Sequence, residues 1–192
     1  ASDVYKRQGL FVVALWVTNG GIAGLTSTSG VLDESGRLTG LIASYLLLLQ
    51  VLLMARVPFV EQAFGQDGLT RLHRWFGFSS FTLMLAHIAL ITLGYAADAH
   101  QSIWGQIVDF TLTYPAMLLA LAGTVALCLV VVTSIKPLRP ASATRSPRSR
   151  ALRYESWHLL HLYAYLGVGL ALPHQLWTCL LYTSDAADDM QC

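Results

Sequence analysis

The sequence predicts an all-α integral membrane protein, a bundle of five helical spans. Three observations carry that reading. Apolar residues make up 55% of the chain and charged residues only 12%, too little polar surface to cover a soluble globule. The apolar residues come in long runs, and Ala116 to Ile135 holds no charge at all. Basic residues gather in the segments between these runs. A backbone in lipid must satisfy its own hydrogen bonds, so each run of about 20 residues is expected as a helix.

The five apolar segments run from about Gly9 to Leu25, Leu38 to Ala55, Trp75 to Ala96, Tyr114 to Ile135 and Ser156 to Trp177. The connection Val57 to Leu72 holds Arg71, with Arg56 before it and Arg74 after. Lys136 to Tyr154 carries Lys136, Arg139, Arg145, Arg148, Arg150 and Arg153. The connections Thr26 to Arg37 and Ala97 to Thr113 carry one arginine between them. Positive-inside bias puts the two basic connections, and the N-terminus, in the cytoplasm of a multi-pass protein of the cell membrane. Pro140 to Ser149 reads as a flexible linker. Gly20 and Gly24 form a small-xxx-small pair that allows close helix contact. Cys128 stands alone in an apolar helix as a packing residue, and three cysteines make no disulfide framework. No nucleic-acid motif is present.

Both ends break with their neighbours in composition. Residues 1–8 (ASDVYKRQ) and 178–192 read as translated adapter sequence, non-native extensions of a domain covering 9–177. On that reading the chain is an internal fragment, and residues 1–8 and Cys179 to Cys192 make few contacts with the bundle.

Four histidines sit in or beside the apolar segments as two matched pairs. His73 and His87 are fourteen residues apart, and His161 and His174 thirteen. Each pair spans about 20 Å along its helix. That is too far for one metal ion, which wants its ligands converging on a point. Haem iron takes one axial ligand from each side, so two helices running the same way could hold two haems stacked through the membrane. His73 is then expected opposite His161, and His87 opposite His174. Bis-histidine ligation favours electron transfer over binding of a further ligand. Fourteen residues return to within about 40° of the same helix face, but thirteen miss by about 140°. A bend or change of winding is therefore expected between His161 and His174, with Pro173, Gly167 and Gly169 as its means.

The runs RLHRWFGFSSFTLMLAHIAL (Arg71 to Leu90) and YESWHLLHLYAYLGVGLALPHQLW (Tyr154 to Trp177) resemble the ferric reductase-like transmembrane domain. This haem domain is shared by ferric reductases and NADPH oxidases, and the wording is most similar to actinobacterial flavocytochromes. The resemblance implies six spans in the intact domain. It also implies two b-type haems on His73, His87, His161 and His174, and a cytoplasmic dehydrogenase domain or subunit that binds FAD and NAD(P)H. Neither the sixth span nor a G-x-G-x-x-G loop is in the sequence. Arg71 and Arg74, beside His73, are candidates to pair with propionates of the inner haem. His158 competes with His161 as ligand, or bonds a propionate; His100 reads as solvated. Trp75, Tyr154, Trp157 and Trp177 read as interface anchors in contact with membrane lipid.

The function expected is electron transfer across the membrane, from a reduced flavin to external ferric iron or dioxygen. Two other readings stay open: a two-haem anchor serving a separate partner reductase, and a haem-free bundle.

Overall fold

The computed structural model describes residues 2–55, 57–135 and 159–176. The basic connection 136–154, His158, Trp157, Trp177 and the tail 178–192 lie outside the described residues. Among the described residues the fold is all helix: α1 (Ser2–Thr18), α2 (Thr28–Met54), α3 (Pro58–Asp98), α4 (Ile103–Thr113), α5 (Met117–Ile135) and α6 (159–176). By length and apolar composition α2, α3 and α5 can each cross a membrane. The chain divides into two units, Ala1–Asp109 and Phe110–Cys192.

Several helices outrun their apolar segments. Residues 2–8 form the first turns of α1. α2 begins ten residues before Leu38, because the limit of a helix is set by capping and not by hydropathy. Ser27 is extended (φ −128°, ψ 164°), and its Oγ accepts from Gly30 N at 3.0 Å. That is an N-cap, satisfying one amide that the first turn leaves without a helical acceptor. The polar residues that follow serve one another: Arg37 meets Glu34 at 2.9 Å, and Trp16 Nε1 of α1 donates to Glu34 Oε2 at 3.1 Å. Thr26 to Arg37, expected as a connection, is thus mostly helix.

The same holds for Val57 to Leu72. Pro58 occupies the first turn of α3, where a missing N–H costs nothing. The helix breaks once, at Gly65 (φ 67°, ψ 158°), a backbone state open to glycine and strained for other residues. Residues 66–98 then run as one helix of about 50 Å, longer than a ~30 Å hydrocarbon core. The surplus lies at its start, where Asp67, Arg71 and Arg74 precede the apolar run. Leu53 and Met54 at the end of α2 bury Val60 and Leu69 there, joined by Val57, Leu72 and Phe76.

α2 and α3 lie antiparallel in constant register, with position 36 opposite 91, 40 opposite 87 and 50 opposite 77. A glycine stands on one side of each pairing. A Cβ on Gly36 would come 2.8 Å from Ile91 Cδ1, and one on Gly77 2.9 Å from Gln50 Nε2. Small residues let two backbones approach where lipid gives no hydrophobic drive to association. The glycines expected in this role, Gly20 and Gly24, lie instead in the turns after α1, where Gly24 makes room for the Glu34 side chain.

In the second unit α5 and α6 are also antiparallel. Gly123 and Gly167 face each other: a Cβ on Gly123 would lie 2.6 Å from Gly167 O, and one on Gly167 3.1 Å from Gly123 O. Residues 159–176 are helical throughout, Pro173 included.

Candidate functional site

His73 and His87 stand on the unbroken part of α3, beyond Gly65. Fourteen helical residues put them about 21 Å apart along the axis and within about 40° of one face. His87 lies well inside the apolar stretch, while His73 stands at its edge, two residues before Trp75.

His87 is held by the neighbouring helix. Its Nδ1 is 2.8 Å from the carbonyl oxygen of Gly36, which can only accept. Nδ1 therefore carries the proton, and Nε2 bears the lone pair. Gly40 makes this approach possible, since a Cβ there would lie 2.6 Å from Nδ1 and 2.9 Å from Cε1. Gly36 and Gly40 are four residues apart, a spacing plain in the sequence, but their partner across the interface was not.

His161 shows a looser version of this in the second unit. Ser134 Oγ donates its one proton to Val130 O at 2.7 Å. The hydroxyl thus faces His161 Nδ1, at 3.4 Å, as an acceptor. At that length the contact is weak and does not by itself fix the His161 tautomer. Histidines that ligate metals almost always donate their other ring N–H to a carbonyl, hydroxyl or carboxylate, which fixes the tautomer and raises ligand basicity. The His87 bond to Gly36 O is of that kind.

The other members of the set are placed less fully. The Nδ1 of His73 is shut off from solvent. His174 is half-buried on α6, one residue after Pro173. Arg71 and Arg74 are exposed, and at two residues before and one after His73 they lie on the flanks of α3 away from the histidine's face. His100 is exposed in the turn after α3, with φ 50°. Among the described residues no three His, Cys, Asp or Glu side chains gather around one point. Axial ligation of haem asks for one imidazole on each side of the iron, and the donor set of four imidazoles, with the Nδ1 of His87 already engaged, fits that group.

Residues 39–172 match the family described as ferric reductase like transmembrane component. The chain belongs to this family. The match takes in α2 from about its fourth turn onward, His73, His87 and His161, and ends two residues before His174. No curated protein and no solved structure matches the chain. Membership makes the chain part of a membrane oxidoreductase.

Ser134 gives a first testable consequence. Ser134→Ala removes the hydroxyl facing His161 Nδ1 and leaves the ring position unfilled by any steric change. Were His161 a haem ligand, as the sequence leads one to expect, haem affinity there should fall, by about tenfold or less given the long contact. Ser134→Thr, which keeps the hydroxyl, should restore it. Haem titration of the purified variants, with the reduction potential as second readout, checks this; alanine and threonine variants that behave alike would remove Ser134 from the site.

Proposed function

We propose that the chain carries single electrons across the membrane through two b-type haems, each held by a pair of histidines. The observation that supports this most is the Nδ1–Gly36 hydrogen bond of His87, which leaves a lone pair on Nε2 inside an apolar segment of a ferric reductase-like domain. His73 and His161 hold the group nearer the basic, cytoplasmic face, and His87 and His174 the group nearer the outside. This pairing rests on counting α3 and α6 as the third and fifth of the five spans expected from the sequence. The N-terminus is then cytoplasmic and the membrane is the plasma membrane.

Haem iron, cycling between ferric and ferrous, supplies the one-electron step. His73, His87, His161 and His174 would hold the two groups, and bis-histidine ligation would favour electron transfer over binding of a further ligand. The apolar helices exclude water, and Gly36 holds the His87 tautomer. Arg71 and Arg74 reach back from their flanks to propionates at the cytoplasmic rim, a use that long, flexible arginine side chains permit. Pro173 removes the hydrogen bond that the Gly169 carbonyl would receive, giving α6 a softer turn through which His174 is aimed. The donor is a cytoplasmic flavin and NAD(P)H dehydrogenase domain or subunit, and the acceptor is external ferric iron or dioxygen.

The experiment is optical. The purified chain, loaded with haem b, should bind two per polypeptide and give the low-spin spectrum of bis-histidine iron on reduction by dithionite. NADPH or NADH alone should leave the iron ferric. A chain that takes up no haem would favour a haem-free bundle. Reduction by a nicotinamide without added flavoprotein would mean that the chain itself holds a dehydrogenase function.

A further inference from the structure

The short helix α4 turns its apolar residues outward. Ile103 is 50% exposed, Trp104 77%, Val108 54% and Leu112 76%. Trp104, Val108 and Leu112 recur every four residues and form one stripe along the helix. The covered side carries Phe110, 7% exposed, and a polar group, Gln106, which is 2% exposed and takes a hydrogen bond from Gln101. A helix at a water surface shows the opposite pattern.

The chain also restricts where α4 can be. Its eleven residues extend about 16 Å, half of a hydrocarbon core, so it cannot cross. Four residues link it to α3 and three link it to α5, both of which are long and apolar enough to cross the membrane. Even fully extended, those links reach only about 10–15 Å. Its start is capped, with Ser102 Oγ accepting from Gly105 N at 3.1 Å, so the helix is defined at the point where it leaves the link. The exposed apolar stripe is thus held within reach of the bilayer surface into which the lipid-facing sides of α3 and α5 continue.

We propose that α4 lies in the plane of the membrane, at the end of the bundle nearer His87, with Trp104, Val108 and Leu112 immersed at the boundary between headgroups and acyl chains. The partner of this surface is lipid. Tryptophan is suited to that depth, since its ring is apolar and its N–H finds headgroup or water partners. The inference concerns the surface of the molecule and stands apart from haem binding.

Spin labels test it on the full chain in phosphatidylcholine–phosphatidylglycerol vesicles. Cys128, Cys179 and Cys192 are replaced by serine, and single cysteines are placed as Trp104→Cys, Val108→Cys and Leu112→Cys. Each label should relax strongly with oxygen and weakly with a water-soluble nickel complex. A parallel measurement keeps Trp104 in place: quenching of the chain's fluorescence by brominated lipid should diminish in Trp104→Phe. Labels that respond to nickel would put the stripe in water and overturn the proposal. Labels shielded from both reagents would overturn it in favour of a protein partner, a second copy included.

Discussion

Replacing His87 with alanine should reduce haem loading from two per chain to one, without loss of the fold. His87 packs against Gly40 and makes one hydrogen bond to α2, to the Gly36 carbonyl, which also accepts from Thr39 Oγ1 at 2.8 Å. Removing the ring therefore leaves no charge buried and only one weak acceptor function unfilled, at about 1–2 kcal/mol. The haem loses a covalent ligand, which is a far larger effect. About 21 Å of helix separates His87 from His73, so the remaining site should load normally. His161→Ala should likewise remove one haem. His100→Ala is the control within the same unit, because His100 is exposed in a turn. Pyridine haemochrome content and the reduced spectrum of each variant measure this. Full loading of His87→Ala would remove His87 from the ligand set, and complete loss in every variant would show that the two sites fill only together.

How much of this was legible in the sequence depends on which physical property each signal reports. Composition reports solvent, and it read the membrane correctly. The charge-free stretch from Ala116 to Ile135 became α5 almost residue for residue, because there the apolar run and the helix end together, between the turn at Tyr114–Ala116 and Lys136. Hydropathy does not report where a helix stops. α2 and α3 each start well before their apolar segments, and the signals that say so are local: the Ser27 cap and Pro58 at the first turn. Both could have been read. Periodicity reported that His73 and His87 share a face, and the unbroken helix from 66 to 98 agrees. Spacing alone could not supply the partner across the interface. That His87 meets Gly36 and Gly40, and His161 meets Ser134, follows from registers fixed by glycine contacts between helices, which a single sequence does not display. The offset between His161 and His174 was legible as a difficulty.

Gly40→Leu tests that register and should have the second large effect. A Cβ at position 40 would lie 2.6 Å from His87 Nδ1 and 3.1 Å from its Cγ, closer than side-chain atoms approach one another. The ring cannot give way cheaply, because moving it breaks the 2.8 Å bond to Gly36. The helices cannot separate without opening the neighbouring contacts at Gly36 and Gly77, which share the same register. Overpacking of this kind costs about 1–3 kcal/mol. The consequence for function should exceed the loss of stability, since the displaced ring is the one proposed to ligate iron through Nε2. Gly40→Leu should therefore lose the haem on His87 while keeping the one on His73. Gly40→Ala should keep both but shift the reduced spectrum of the first. Gly68→Ala is the matched control, as its Cβ would meet only Phe64 Cβ at 3.7 Å, an ordinary contact. Haem content and absorption spectra of the three variants, beside their unfolding curves, decide the matter. Two haems and an unaltered spectrum in Gly40→Leu would mean that α2 does not position His87, and that its hydrogen bond to Gly36 plays no part in ligation.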